Sequence, residues 1–299
     1  MNKNQKALLT VFLLYVMWGL LPLYWHMLAA EDSLLVLCCR IVFAAAFAFL
    51  VLALKGRLGA VKATLHNKAQ MKWLLPATVS ICLNWGVYVW AIMRGHTIDA
   101  GLGYYMNPLM VFAISVLLFK ERCGKLQLAA VLIAAAGVAV SLVMFGKVPV
   151  MGLILAASFT AYGVFKKLAK ADGVASIAVE CMLLTPLALL FCLCFKRAQI
   201  AAITPWTGVL LVLAGAVTAI PVMLYSDAVK KVDFTTMGFI QYVSPTLQLL
   251  CGLLMGEKLT PDKGVPLAFV VVALILYTIG LVRDAKKDAA GKRAAETEN

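Results

Sequence analysis

The chain has 299 residues, 63% of them hydrophobic and only 14% charged, with a formal net charge of +13, against roughly 45–50% and about 25% for soluble domains. Segments that are apolar all round have no face to turn to water, so an ordinary soluble domain is excluded and lipid is the solvent. No basic patch with interleaved aromatics for nucleic acid is present, and the positive charge belongs to membrane topology and anionic headgroups.

A helix crossing the roughly 30 Å of bilayer hydrocarbon needs about 20 apolar residues. Cutting the chain at its charged and Gly/Pro clusters predicts ten such spans: Ala7 to Ala29, Ser33 to Leu54, Trp73 to Met93, Ala100 to Phe119, Leu126 to Phe145, Val150 to Phe165, Val174 to Phe195, Trp206 to Ser226, Thr235 to Met255 and Gly264 to Val282. Lys3 and Lys6 before an apolar run ending in Leu28-Ala29-Ala30 have the outline of a secretory signal. The run exceeds a signal core and holds Trp18, Pro22, Tyr24, Trp25 and His26, so it is expected to stay as the first helix. The connection from Lys55 to Lys72 is too short for a soluble domain, and the tail after Arg283 is polar and expected to fray.

Basic residues stay in the cytoplasm. Placing the N-terminus there gathers Lys3 and Lys6, Lys55 through Lys72, Lys120 to Lys125, Lys166 to Lys170, Lys230 and Lys231, and the C-terminal cluster on that side. Arg94, Lys147, Lys196, Arg197, Lys258 and Lys263 fall opposite, and both termini are expected in the cytoplasm. Cys38, Cys82, Cys181, Cys192, Cys194 and Cys251 lie within spans, where cysteine packs as a small apolar residue. His26, His66 and His96 are scattered, and Asp99, Asp227 and Asp233 are read as connections, so neither a metal site, a cofactor nor an enzyme's catalytic cluster is expected.

Sliding the second half over the first by 137 residues brings Tyr88 onto Tyr225, Ala91 onto Ala228, Gly101 onto Gly238, Tyr105 onto Tyr242 and Pro108 onto Pro245. After one single-residue gap Glu121 meets Glu257, and earlier Tyr15-x-x-Trp18-Gly19 lies over Phe159-x-x-Tyr162-Gly163. Each half holds five spans, and five is odd, so the second copy enters the membrane from the other side. The expected fold is an all-α polytopic membrane protein of two inverted five-helix repeats, 1–148 and 149–282, with a cytoplasmic tail at 283–299. Inverted repeats let one sequence build inward-open and outward-open states around a site near the midplane.

Pro108 and Pro245 sit mid-span, with Gly101 and Gly238 seven residues earlier and Asn107 or Ser244 immediately before. Each proline frees a backbone carbonyl, which must find protein or a cavity rather than lipid. The alternative is a kink for packing only. Arg40 and Glu180 occupy corresponding places in the second and seventh spans. Intramembrane charges mark substrate or gate contacts, a structural charge pair or snorkelled helix ends; all three remain open, although roughly 10 Å of depth separates the two residues. The rest of the polar and aromatic inventory, Trp18, Asn84, Trp85, Tyr88, Tyr104, Tyr105, Asn107, Gln241 and Tyr242, predicts a largely neutral cavity suited to amphipathic or zwitterionic organic solutes.

Tyr15-x-x-Trp18-Gly19-x-x-Pro22, Asn84-Trp85 with Tyr88 and Trp90-Ala91, His96, and Leu102-Gly103-Tyr104 through Asn107-Pro108 resemble the RarD group of EamA-type transporters in the drug/metabolite transporter superfamily. Pro221, Gly238-Phe239, Gln241-Tyr242, Pro245-Thr246 and Gly256-Glu257-Lys258 extend the resemblance through the second half. It implies a bacterial inner-membrane permease or exporter of a small organic metabolite or drug, in a group whose name is tied to chloramphenicol sensitivity. Two positions depart from that pattern: Lys120 stands where such proteins usually have Gly, and Gly101 where Ser is common. A non-transporting membrane scaffold or interaction protein is the alternative, and it leaves the paired kinks unexplained.

Overall fold

A computed structural model describes residues 3–121, 124–145 and 150–258, and beyond these 261, 264–265, 268–269, 271–273, 275–280 and 283. Among the described residues every regular element is a helix. The first half contributes α1 (Lys3–His26), α2 (Ser33–Leu54), α3 (Gly59–His66), α4 (Lys68–Met93), α5 (Thr97–Leu117) and α6 (Lys125–Phe145). The second contributes α7 (Val150–Ala169), α8 (Gly173–Phe195), α9 (Arg197–Ala201), α10 (Pro205–Ala228), α11 (Phe234–Ile240) and α12 (Val243–Leu254). Eight stretches are long and apolar enough to cross a membrane, with α11 and α12 together forming the last; Lys125–Val140 and Val271–Gly280 are shorter apolar helices in their described parts. Residues 266–267, 270, 274 and 281–282 of the predicted tenth span, and the tail after 283, lie outside the described residues.

Four sequence expectations change. α7 runs past Phe165 to Ala169, which brings Lys166 and Lys167 inside the helix; a lysine with a counter-charge inside the protein does not end a span. The predicted ninth span breaks at Gln241-Tyr242. Pro245 has no N–H for the carbonyl of Gln241, and the Ser244 N–H closes a tighter turn onto it at 2.9 Å. α5, by contrast, continues unbroken through Pro108. The Lys55 to Lys72 connection holds α3 and the first turn of α4, and Asp99 and Asp227 stand within α5 and α10, leaving only Asp233 of the three in a connection.

Small residues let the helix backbones approach. Gly103 of α5 faces Gly152 of α7 so closely that a Cβ on Gly152 would lie 2.7 Å from the Gly103 α-carbon. One turn on, Asn107 Nδ2 donates to the Ala156 carbonyl at 2.7 Å and to Thr160 Oγ1 at 2.8 Å. Alanines 44, 45 and 48 of α2 are buried, as are Ala175 and Ala178 of α8, and these two helices pack closely along their length.

Contacts between the halves come in reciprocal pairs. Asp32 caps α2 and accepts from Lys196, just after α8, at 2.9 Å; Asp172 caps α8 and accepts from Arg57, just after α2, at 3.2 Å. Glu121 accepts from the N–H groups of Phe234 and Thr235 at the start of α11, each at 2.9 Å, while Glu257 accepts from Thr97 N–H at the start of α5 at 3.1 Å. A Cβ at Gly101 would stand 3.5 Å from the Pro245 carbonyl oxygen, and one at Gly238 3.6 Å from that of Pro108. Tyr105 and Tyr242 stack on each other with centroids 6.1 Å apart. Residues that correspond at a shift touch one another only on a two-fold axis, and those beside it exchange partners in this way. Lys120 carries φ of 53°, a left-handed conformation that glycine adopts without steric cost.

Three of these carboxylates make an acid-sensitive clamp. Partial burial alone would raise the pKa of Asp32, Glu121 and Asp172, but hydrogen bonds from helix N-termini and from Lys196, Lys167 and Arg57 outweigh it and hold each below its ordinary value. Because the folded pKa values are depressed, the stabilisation is complete above the unfolded values and is lost as pH falls toward the folded ones. An Asp32→Asn/Glu121→Gln/Asp172→Asn variant is expected to unfold at lower denaturant than wild type at neutral pH. That gap should narrow on titration below about pH 4; a gap independent of pH would exclude the clamp.

Candidate functional site

Between the halves, Tyr15, Trp18 and Leu21 of α1, Arg40 of α2, Asn84, Trp85 and Tyr88 of α4, Tyr104 of α5 and Phe159 of α7 meet Gln241 and the α12 residues Ser244, Pro245 and Gln248. They leave about 470 Å³ of space between them, including the part continuous with solvent. At 1.5 Å per residue the lining positions lie roughly 7–20 Å from the helix ends on the face opposite the N-terminus, hence from the centre of the bundle into that half.

The wall is aromatic and braced. Trp18 contacts Tyr15, Phe159 and Tyr225 at ring-centroid distances of 5.5, 5.3 and 5.4 Å. Asn84 Nδ2 donates to the Leu155 carbonyl at 3.0 Å and to Ser158 Oγ at 3.1 Å, and its Oδ1 accepts from Tyr104 OH at 2.9 Å, tying α4, α5 and α7 together. Arg40, 2% exposed, holds its guanidinium over Trp25 at 4.8 Å and Trp85 at 4.4 Å. Its Nε and Nη1, the Tyr88 hydroxyl and Gln248 Oε1 are buried without a hydrogen-bond partner. Gly101 lies against that amide: a Cβ there would stand 3.9 Å from Gln248 Oε1, so a serine at this position would bring a hydroxyl near this acceptor.

The sequence-predicted Trp18, Arg40, Asn84, Trp85, Tyr88, Tyr104, Gln241 and Pro245 come together here, whereas Tyr105, Asn107, Glu180 and Tyr242 stand elsewhere. Tyr105 and Tyr242 pack with α6 and the last helix. Asn107 binds α7, and Gly101, Pro108 and Gly238 form the crossing of α5 with α11 and α12. Tyr15, Leu21, Phe159, Ser244 and Gln248 are lining residues that the inventory of polar and aromatic positions missed. Gln241, Ser244, Pro245 and Gln248 follow the i, i+3, i+4, i+7 spacing of one helix face, a signal present in the sequence.

Arg40 and Glu180 do not pair. Glu180, fully buried, accepts from Lys166 Nζ at 2.5 Å and from Tyr162 OH at 3.2 Å, and Lys166 also reaches Ser176 Oγ at 2.5 Å. Lys166 is only 3% exposed and was assigned by sequence to a cytoplasmic cluster. Its four-residue spacing from Tyr162, on the face that carries Phe159, is the cue that turns it inward. Its neighbour Lys167 instead bonds Glu121 at 2.7 Å.

The model of the EamA-like transporter family matches twice, over residues 5–143 and 147–279. Transporter YojE of Bacillus subtilis, itself uncharacterised, is 34% identical over 94% of this chain and 96% of its own. Protein RarD of Streptomyces exfoliatus is 33% identical over 98% and 95%, and protein RarD of Escherichia coli 28% over 94% and 96%. A solved crystal structure, 18% identical, superposes with a TM-score of 0.70 over 92% of this chain and 98% of that one, so the fold is shared. A helical membrane bundle, matched along both halves by one transporter family and along nearly its whole length by RarD proteins, belongs to the EamA-like transporter family as a RarD-type member.

Proposed function

We propose that this transporter is a ten-helix permease of the bacterial inner membrane, with both termini cytoplasmic, which moves a small organic solute by alternating access. Its repeats are residues 1–148 and 149–282, inverted relative to one another, followed by the tail at 283–299. The reciprocity of contacts between residues related by a shift of 136 to 140 carries this proposal. Equivalent helix pairs nevertheless pack unequally: α4 lies more extensively on α7 than α10 does on α1, and α2 more extensively on α10 than α8 does on α4. Two repeats of one fold that differ in this way hold one access state, and exchanging the two packings yields the other. Near the N-terminal face, Lys166, Glu180 and Tyr162 close the space beneath the cavity, beside the Glu121–Lys167 and Arg57–Asp172 links.

Impermeant thiol labelling in cells tests the topology, in a cysteine-free background. A cysteine at Arg197 is expected to react from outside and one at Lys170 only after lysis, both positions being exposed. A cysteine at Gln248 should react from one side at a rate that solute changes. The opposite labelling pattern inverts the proposed orientation, and a Gln248 position inert from both sides in every condition removes alternating access.

A further inference from the structure

The cavity contains a charge with no counter-charge. Arg40 cannot release its proton, so unlike a buried lysine it has no neutral form to adopt. Leaving an ion buried and unpaired costs several kcal/mol; contacts with two indoles return only part of that. Among the described residues, no acid lines the cavity. The described acids with an ion-pair partner are committed elsewhere, among them Glu180 to Lys166, Asp32 to Lys196, Asp99 to His96 and Asp172 to Arg57. The guanidinium carbon lies over the rings of Trp25 and Trp85, and Nε and Nη1 are left without a hydrogen-bond partner for a ligand to supply.

Resting on the cavity being the solute's site, we propose that the solute is a small aromatic monocarboxylate, whose carboxylate is bound by Arg40. A carboxylate matches the planar fork of a guanidinium and supplies the missing negative charge. Trp18, Trp85, Tyr88, Tyr104 and Phe159 offer ring faces and edges for a flat apolar body. A single cation balances a single negative charge, so a dianion leaves one charge uncompensated, and a cationic amine meets Arg40 with like charge and finds no acid. Tyr88 OH and Gln248 Oε1, both buried without partners, are further polar atoms for a hydroxyl or N–H of the solute.

The test is binding to purified full-length protein in detergent, read by thermal shift and calorimetry. The probes are phenylacetate, cinnamate, indole-3-acetate and nicotinate, each beside its neutral amide, with phenethylamine and inorganic phosphate as further arms. At least one carboxylate is expected to bind about tenfold or more tighter than its amide, and phenethylamine and phosphate not at all. Equal affinity of acid and amide, preference for the amine, or no binding by any carboxylate overturns the proposal. Arg40→Met should abolish the preference for acid over amide while leaving ligand-free stability unchanged or raised, because it removes an unpaired charge. A fall in that stability, or failure to fold, would make Arg40 structural and overturn the proposal. Flux in proteoliposomes is a separate readout. Carboxylate binding without flux leaves the anion site standing and removes transport, whereas flux of neutral or cationic solutes without carboxylate preference does the reverse.

Discussion

Glu180→Ala is expected to cost the folded protein about 3–5 kcal/mol, the scale for breaking a buried ion pair by removing one partner. Lys166 would then stand buried with only the Ser176 hydroxyl and the face of the Tyr162 ring, 5.4 Å away, beside its ammonium. Tyr162 would lose the acceptor of its hydroxyl as well. Lys166→Met should be similarly costly, because it leaves a carboxylate in the same apolar surroundings. The double variant Lys166→Met/Glu180→Met removes both charges together and is expected to recover most of the loss, since replacing a whole buried pair by apolar groups is often neutral or stabilising. Unfolding titrations in mixed micelles on wild type, both single variants and the double variant give the coupling energy directly. Additive single effects would show that the two side chains do not depend on each other.

The second large effect is expected where α5 crosses α7. Gly152→Val drives carbons against the Gly103 backbone, which has no side chain to move aside, as well as against the Met106 methyl. The helices must part, at about 1–3 kcal/mol or more for overpacking. Parting them also stretches the two hydrogen bonds from Asn107 to α7, at 2.7 and 2.8 Å, and the Asn84 brace that holds Tyr104 against the cavity. Gly152→Ala should fall between wild type and Gly152→Val, and Gly208→Val, with only the Ile203 side chain near its position, is the control expected to change little. Equal stability of all four proteins would mean that the crossing is not the close contact described.

Much of the site was legible before any coordinates. The repeat singled out Gly101, Pro108, Gly238 and Pro245, and these residues meet across the halves in reciprocal pairs. Trp18, Asn84, Trp85 and Tyr88 stood out as polar or large aromatic groups within apolar helices, and they face one another. Asn107 stood out for the same reason and faces a neighbouring helix instead. An amide costly in lipid requires a partner, but both protein and cavity meet that requirement. Tyr105 and Tyr242 were selected as a matched pair, and they stack on each other among the helices around them rather than in the cavity.

By itself the sequence determined the solvent, the approximate places where apolar helices begin and end, and the correspondence of the two halves. These properties reside in contiguous composition and in a register, and each can be read along one strand of text. Only the tertiary structure decided which charge meets which. Lys166 and Lys167 are neighbours in sequence, yet the 100° step between helix residues turns the first to Glu180 and the second to Glu121. Arg40 and Glu180 looked like partners by position, and rotation of α2 and α8 about their axes sends the arginine to two indoles and the cavity, the glutamate to α7. Helix rotation is set by side-chain packing summed over whole interfaces, so the ion left without a counter-charge emerges only when every neighbour is in place.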